Sequence, residues 1–209
     1  MKKLFFLLLL SGLAYSSNAQ TLAQIKKVLD TTNNPIGFVK YVLKKKYFID
    51  TVAVLSSQSF VSKADSLAYN GKVGKTYGPF KKENILVKIL VKAPNTFYHV
   101  KHIVLDTSHY TVSFAEKLAD SLILKMKDGR TTFADAASTY STDHESAIRG
   151  GDLGWFVKGV MLRQLDAEMV KHKKGEVFKV WTDAGLHIVT VPDDPKQDTG
   201  YALMLKVIL

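Results

Sequence analysis

The chain has 209 residues, a formal net charge of +10 and no cysteine. Its 46% hydrophobic and 23% charged residues are an ordinary globular composition, which excludes a largely disordered protein. The absence of cysteine excludes disulfides and thiol catalysis, and a chain of this length can bury a core without cross-links. The lysines are scattered or in short runs without a nucleic-acid-binding motif around them, so we expect a solvated basic surface and no nucleic-acid partner.

Residues 1–19 have the pattern of a secretory signal peptide. Lys2 and Lys3 precede the apolar run LFFLLLLSGLAY, and Ser17-Asn18-Ala19 is a small-x-small cleavage site. The apolar run falls short of the roughly 20 residues that a membrane span needs. We therefore expect cleavage near Ala19/Gln20, no stable membrane span, and an exported protein in the periplasm of a bacterium.

Residues 20–95 are expected to form a smaller N-terminal segment of helices and a strand. Apolar residues at helical spacing predict helices within 21–50, interrupted at Asn33-Asn34-Pro35. A third helix is predicted over about 58–70, ending at Asn70-Gly71.

The end of this segment carries turn and strand signals. Gly78-Pro79 predicts a turn, and the run ENILVKILVK, Glu83 to Lys92, predicts a strand because it is rich in β-branched and apolar residues. Ala93-Pro94-Asn95 is interpreted as a short linker and as the domain boundary.

Residues 96–192 predict an α+β domain in which helices pack on an antiparallel sheet. HVKHIVL reads as a strand, a long helix and the helix FADAASTY follow, and LGWF is a short strand after a glycine-rich loop. Met161, Leu165 and Met169 are spaced as on a helix. VFKVW and LHIVTV predict two closing strands around the turn Thr182-Asp183-Ala184-Gly185.

Residues 193–209 form a C-terminal tail with the strand-like run YALMLKVIL. One hypothesis for this run is a docking strand that binds a partner in an envelope complex.

Four blocks in fixed order resemble the parvulin peptidyl-prolyl isomerases over about residues 97–192. They are HVKHIVL, FADAASTYSTD, GGDLGWFVKGVM and GLHIVTV. The resemblance implies a four-stranded antiparallel sheet surrounded by helices, and a prolyl cis–trans isomerase that needs no cofactor and no metal.

The resemblance also implies the residues of an active site. The polar positions of the family match His102, Asp143, Thr182 and His187. The slot for the proline ring matches Leu153, Phe156, Met161 and Leu165. The family often has phenylalanine where this chain has Leu165, which puts the rate of the reaction in doubt more than the activity itself.

The motif GGDLGWF is expected to lie beside this slot. Its glycines would let the backbone pass close to a bound chain at positive φ. Phe156 would project into the slot, and Trp155, its neighbour in the strand, would face the other way.

Each of these residues also has a structural interpretation when it is taken alone. His102 and His187 are then core histidines, Asp143 is a helix cap, and the Met161–Leu165 stripe belongs to a helix core. A metal site is not predicted, because the sequence has no HxH or HExxH spacing. Only the joint pattern favours function.

Two functions remain open at this level. The first is an isomerase that assists the folding of exported proteins containing X–Pro bonds, because proline isomerisation is slow enough to limit folding. It would not be phospho-specific, since DTSHYTVS after the first histidine strand has no Lys or Arg. The alternative is a periplasmic holding chaperone that binds extended clients in the same groove with little turnover.

One hypothesis is that residues 21–92 are a shortened, degenerate copy of the parvulin tail, inactive because it lacks the glycine loop and both histidines. GKTYGPFKKENILVKIL, from Gly74, and GEVFKVWTDAGLHIVTV, from Gly175, share a glycine, an aromatic residue and a β-run at an offset of 101 residues. In this comparison Leu86 takes the place of His187. Chance similarity of two strand–turn–strand segments is the competing explanation.

Overall fold

The structure is a computed structural model that describes residues 20–57 and 60–209. The expected signal peptide, residues 1–19, lies outside the described residues. Within the described part of the chain, no helix is both long enough and apolar enough to cross a membrane.

The described chain is a mixed α+β protein with one antiparallel sheet. The helices are α1 (Leu22–Thr31), α2 (Pro35–Gly37), which continues as a π-helical segment (Phe38–Leu43), α3 (Leu67–Asn70), α4 (Val112–Lys127), α5 (Phe133–Tyr140), α6 (His144–Ala147) and α7 (Arg163–Met169). The strands are β1 (Tyr47–Ala53), β2 (Thr76–Phe80), β3 (Ile85–Leu105), β4 (Asp152–Val157), β5 (Val177–Thr182), β6 (Gly185–Thr190) and β7 (Lys196–Ile208).

Strand β3, 21 residues long, is the spine of the sheet. On one side it pairs with β7 and then with β6, and on the other with β2 and then with β4. Strand β1 lies outside β7, and β5 lies outside β6. We call β1, β7, β2 and residues 85–97 of β3 the first sub-sheet, and β4, β5, β6 and residues 97–105 of β3 the second sub-sheet. The expected four-stranded sheet is the second sub-sheet, and the whole sheet has seven strands.

The expected linker at 93–95 is wrong, because these residues lie inside β3. Pro94 has no N–H to give to the ladder, and strands tolerate proline at irregular positions. The pairing with β7 shifts register between Ala93 and Pro94, which accommodates the ring without ending the strand. The domain boundaries that we placed around residues 95 and 192 stay predictions.

The C-terminal tail is a strand, as its sequence predicts, but it is not an exposed docking strand. β7 lies between β1 and β3 and pairs with both. Its two edges are therefore occupied within the chain, and the hypothesis of a docking tail is wrong.

Three assignments in the N-terminal segment also differ from the prediction. Tyr47–Ala53 is a strand because it pairs with β7 along its whole length, a tertiary contact that local pattern does not reveal. Residues 61–66 form bends and turns before the four-residue helix α3. Gly78-Pro79 lies within β2, at an irregularity of its pairing with β3.

Helices cover both faces of each sub-sheet. In the second sub-sheet, α4 and α5 pack on the face that includes Ile103 and Leu186, and α7 packs on the opposite face beside Val189. In the first sub-sheet, α1 and the segment Pro35–Leu43 pack on the face that includes Leu86, and α3 packs on the opposite face. This burial of both faces fixes which side chains of β3 and β6 can meet at a site.

The hairpins β2–β3 and β5–β6 close in the same way. The Gly74 N–H donates to the Ile89 carbonyl at 2.8 Å, and the Gly175 N–H donates to the Val191 carbonyl at 2.8 Å. Both glycines have positive φ. The first sub-sheet therefore contains the hairpin that a degenerate copy of the parvulin tail requires. A common origin of the two segments stays a prediction.

The pairing corrects one residue of that comparison. Val87 lies opposite Tyr77 in the first hairpin, and Val189 lies opposite Phe178 in the second. The first strands of the two hairpins are thus offset by 101 residues, from Tyr77 to Phe178, but the second strands are offset by 102, from Val87 to Val189. Ile85, and not Leu86, takes the place of His187.

Candidate active site

His102 and His187 meet between two neighbouring strands. His102 of β3 lies opposite Val189, and His187 of β6 lies opposite Val104, so both imidazoles stand on one face, two residues apart. Their Nδ1 atoms are 3.2 Å apart. Both rings are buried, at 7% and 2% exposure.

Asp143 holds the outer end of His102. Its carboxylate oxygen Oδ2 is 2.8 Å from His102 Nε2. Asp143 is also the N-cap of α6, as its structural interpretation predicts. It therefore caps the helix and contacts the histidine at the same time. Ser146, one turn later, donates to the same Oδ2 at 2.5 Å and lies 3.1 Å from His102 Nε2.

Thr182 holds the outer end of His187. Its hydroxyl oxygen is 2.9 Å from His187 Nε2. The tight turn between β5 and β6 positions this hydroxyl, which also accepts the N–H of Ala184 at 3.0 Å. The structure thus brings the four predicted polar residues together in one chain of contacts.

The hydrogen-bond inventory orients the protons in this chain. A carboxylate only accepts, so His102 Nε2 donates to Asp143 and the neutral ring leaves its Nδ1 as an acceptor. His187 must then donate from Nδ1, and its Nε2 accepts the hydroxyl proton of Thr182. Every hydrogen bond from Thr182 to Asp143 points toward the carboxylate while both imidazoles are neutral.

The pKa shifts agree with two neutral rings beside an ionised carboxylate. Burial lowers the pKa of His102, and Asp143 opposes only part of that effect. Burial and the neighbouring His102 lower the pKa of His187 to about 4. Burial raises the pKa of Asp143, but hydrogen bonds from Ser146 and His102 outweigh it and leave the pKa below its ordinary value.

The glycine loop positions His102 itself. The His102 N–H donates to the Gly151 carbonyl at 2.8 Å. Gly151 has φ of +81°, and a Cβ there would lie 2.3 Å from the His102 carbonyl oxygen. The sequence predicted that these glycines let the backbone approach a bound chain. At Gly151 the backbone instead approaches the strand that carries His102.

The rest of the GGDLGWF motif joins this loop to the sheet. The Asp152 carboxylate accepts the N–H of Gly154 at 2.7 Å and lies 2.7 Å from Nε2 of His99. Trp155 packs with the first sub-sheet core and Phe156 with the core beneath α7, so the two side chains face opposite ways as predicted.

The four predicted slot residues belong to one apolar cluster but differ in exposure. Phe156 and Leu165 are fully buried, at 0% and 2% exposure. Leu153 and Met161 pack against them and face a groove of about 660 Å³. Met161 lies in the turn before α7, not on the helix.

The groove also reaches residues that the sequence did not indicate. Asp143 and Ser146 line one part of it, and residues of β1 together with Leu55 line another. The D-x-x-S spacing of a helix cap could have indicated Ser146. No sequence signal places β1 beside the slot, because that position depends on pairing with β7.

Comparison with known proteins identifies the family. Residues 85–195 match the family model described as the PPIC-type PPIASE domain. The chain belongs to this family of peptidyl-prolyl isomerase domains. The matched region begins at the first residue of β3 and covers the second sub-sheet with all the site residues described above.

Three curated relatives give the range of similarity. Foldase protein PrsA of Geobacillus kaustophilus is 37% identical over 112 residues, which are 53% of this chain and 39% of the relative. Chaperone SurA of Photorhabdus laumondii is 34% identical over 105 residues, 49% of this chain and 24% of the relative. A probable parvulin-type peptidyl-prolyl cis-trans isomerase of Bordetella bronchiseptica is 30% identical over 151 residues, 71% and 55% respectively. The chain thus spans well under half the length of the first two.

Proposed function

We propose that this protein is a peptidyl-prolyl cis–trans isomerase that assists the folding of exported proteins. One observation carries the proposal: a chain of hydrogen bonds through two buried imidazoles, Thr182 to His187 to His102 to Asp143, adjoins an apolar slot at Leu153 and Met161. The membership of residues 85–195 in the isomerase family supports it.

The chemistry needs no nucleophile and no proton transfer to the substrate. Rotation about the X–Pro bond faces a barrier of about 18–20 kcal/mol, because the amide loses its partial double bond on the way. A site accelerates this rotation if it binds the twisted amide more tightly than the planar one. The planar amide is the more dipolar form, so an apolar slot that replaces its hydration favours the twisted form.

The two neutral imidazoles of the polar chain are held in fixed positions beside the slot. With both imidazoles neutral, neither ring is a cation that could stabilise the planar, charge-separated form of the substrate amide. Asp143 and Thr182 hold the two rings in one tautomeric state and one orientation. Positioning of the slot, not acid or base catalysis, is the function we assign to these four residues.

The substrate class follows from charge and from the relatives' names. Residues 106–113 after the first histidine strand contain no Lys or Arg, so no basic cluster awaits a phosphate there. We propose unphosphorylated X–Pro segments of unfolded or partly folded exported proteins as clients. The signal-peptide pattern of residues 1–19 and the relative named Foldase protein PrsA support this.

A holding chaperone in the same compartment is the second candidate. It is favoured by the burial of Phe156 and Leu165, which leaves Leu153 and Met161 as the slot residues that face the groove. The relative named Chaperone SurA supports it as well. Binding without turnover is what a groove with a shallow proline slot would give.

The test is the cis-to-trans rate of a short unphosphorylated X–Pro peptide. The variant Met161→Ala truncates a slot residue that faces the groove, whereas Leu165→Ala would cost about 2–5 kcal/mol of stability because Leu165 is buried. Met126→Ala, a half-buried methionine packed against the α4 core, is the matched control. Acceleration that falls in Met161→Ala and not in Met126→Ala supports the isomerase.

The opposite result separates the two candidates. No acceleration over a set of residues before proline, together with suppressed aggregation of an unfolded client, would reject the isomerase and support the holding chaperone. A phosphorylated Ser–Pro peptide turned over faster than the unphosphorylated one would contradict the proposed substrate class.

A further inference from the structure

The groove beside the slot runs along the outer edge of β1. It extends from Leu153 and Met161 to four consecutive residues, Asp50 to Ala53. Successive side chains of a strand point to opposite faces of the sheet. A groove lined by consecutive residues therefore follows the edge of the strand and not one of its faces.

The backbone of β1 points hydrogen-bonding groups into this groove. Among the described strands, only β7 pairs with β1. The bonds from Ile208 N–H to the Lys46 carbonyl at 2.9 Å and from Val54 N–H to the Gly200 carbonyl at 2.7 Å set the alternation of the ladder. Even-numbered residues of β1 therefore bond to β7, while Thr51 and Ala53 direct N–H and C=O groups outward.

The equivalent edge in the second sub-sheet already carries an added segment of the same chain. The Val157 N–H of β4 donates to the Leu55 carbonyl at 2.9 Å, and the Ser57 N–H donates to the Trp155 carbonyl at 3.1 Å. This extended segment follows directly after β1, and it lies beside Phe156. An extended chain on such an edge is thus a geometry that this sheet accommodates.

Exposed apolar side chains accompany the edge of β1. Leu55 is 54% exposed and Val61 is 100% exposed, and both line the groove, as does the less exposed Val160. They offer contacts to alternate side chains of a strand added to β1. Asp143 and Met161 line the same groove, so it is continuous with the candidate active site.

We propose that the edge of β1 binds an extended segment of the client polypeptide as an added strand, next to the slot that takes its proline. This inference rests on the proposed function, because the same client supplies both segments. Main-chain hydrogen bonds give affinity with little dependence on sequence, which suits unfolded clients. The substrate class is then a long extended chain with apolar residues near its proline, not an isolated X–Pro unit.

The test compares a long fluorescent peptide, with apolar residues on both sides of one X–Pro bond, with a short peptide of the X–Pro core alone. Binding of the long peptide is measured by fluorescence anisotropy, and isomerisation of both peptides by rate. Thr51→Pro removes an outward N–H in the groove. Ile49→Pro removes an outward N–H on the same strand away from the groove, and edge strands tolerate proline at such positions.

We expect Thr51→Pro to weaken binding of the long peptide about fivefold, as the loss of one main-chain hydrogen bond implies, and Ile49→Pro to leave this binding unchanged. N-methylation of alternate amides of the long peptide should weaken binding in one set of positions and not in the other. This arm uses the unmodified protein, so it holds even if Thr51→Pro does not fold, which thermal unfolding reveals.

Equal binding of the methylated and unmethylated long peptides, or equal effects of Thr51→Pro and Ile49→Pro, would overturn the inference. Its failure is distinct from failure of the proposed function. A short peptide that is isomerised while Thr51→Pro binds the long peptide normally rejects only the added strand. Methylation-sensitive binding of the long peptide without isomerisation of either peptide rejects only the isomerase.

Discussion

The two sub-sheets have the same spatial order of strands but carry different side chains at equivalent positions. The order β1-β7-β3-β2 in the first corresponds to β4-β3-β6-β5 in the second, and all pairs are antiparallel. Val87 lies opposite Lys206 in the first, where Val189 lies opposite His102 in the second. Lys206 and Ile85 therefore stand where the second sub-sheet has His102 and His187.

The partners of these residues differ as well. The Lys206 ammonium donates to Asp50 at 2.5 Å and to Asp65 at 2.9 Å. Burial lowers the pKa of Lys206, but these hydrogen bonds outweigh it and raise the pKa. The first sub-sheet thus holds a fixed cation between two carboxylates, whereas the second holds two neutral rings in a row.

The helix beneath each position completes the contrast. At the 101-residue offset, Leu165 of α7 corresponds to Ala64, just before α3, and Met169 corresponds to Ala68, within α3. Ala64 lines a groove of about 350 Å³ together with Asp65, Ile85 and Lys206, so the groove at this position of the first sub-sheet contains charged side chains instead of an apolar slot beside two histidines. One strand arrangement therefore serves as a scaffold in one half and as a candidate active site in the other, and a few side chains make the difference.

The largest effect we expect is on the lysine of the first sub-sheet. Lys206→Met leaves Asp50 and Asp65 without their shared cation; because Lys206 is buried but the two carboxylates are partly exposed, we expect a cost of about 2–3 kcal/mol in the free energy of unfolding. Urea denaturation measures this cost. Lys171→Met, which breaks an exposed pair with Glu168, is the control and should cost less than about 1 kcal/mol. Equal costs for the two would mean that Lys206 is not the buried anchor of its sub-sheet.

The next effect is a pH dependence that only the second sub-sheet should have. The pKa of His187 is about 4 in the folded protein, against 6.5 for an unperturbed histidine. As the pH falls below 6.5, the unfolded chain binds a proton that the folded protein does not, so the free energy of unfolding falls. We expect a loss of about 2 kcal/mol between pH 6.5 and 4.5, above the range where most carboxylates titrate.

Denaturation curves at several pH values test this, with His187→Leu as the comparison. This variant should lose the slope that His187 contributes while retaining the slopes of the other histidines. An unchanged slope in His187→Leu would contradict the neutral imidazole that the proton assignment requires.

A smaller effect should appear as coupling between the two histidines. His102→Leu leaves the Nδ1–H of His187 without its acceptor, and His187→Leu leaves Nδ1 of His102 without its donor. The double variant leaves neither, so we expect it to be about 1 kcal/mol more stable than the sum of the single changes. A double-mutant cycle by urea denaturation measures this coupling, and additive costs would argue against a direct imidazole contact.

The smallest effect should come from the end of the hydrogen-bond chain. Thr182→Val removes the hydroxyl that donates to His187 while keeping the branched shape, at a cost of about 0.5–1.5 kcal/mol. Thr182→Ser keeps the hydroxyl and is the control. We expect the isomerisation rate to fall with Thr182→Val and to stay near the wild-type rate with Thr182→Ser, and the reverse order would refute the role of the hydroxyl.

Local motifs predict the geometry of the candidate site better than any other part of the molecule. The strand of His102, the closing hairpin around Thr182 and the helix cap at Asp143 each carry a pattern within a few residues, and the resemblance set them in one site. The apolar slot was predicted as a set, but its division into buried and groove-facing residues depends on packing that sequence does not show.

The first sub-sheet was harder to predict, because its strands depend on partners far along the chain. β1 has a mixed burial pattern, and its one partner among the described strands is β7, about 150 residues later. Pro94 looked like a linker because a proline usually ends a strand, whereas here a register shift carries β3 through it. A constant offset of 101 residues aligns the two hairpins, but Val87 follows its partner Tyr77 by ten positions whereas Val189 follows Phe178 by eleven, so Ile85 and not Leu86 corresponds to His187.

The position of β7 has a consequence for the order in which the molecule can be completed. Lys206 contacts Asp50 across 156 residues of sequence. Among the described strands β1 pairs only with β7, so synthesis or export from the N-terminus leaves β1 unpaired until residues 196–208 are available. Such long-range pairing slows folding. We expect a nascent form in which the second sub-sheet is folded and β1 is still unpaired. This form would itself need protection from aggregation, because the edges of β1 are exposed.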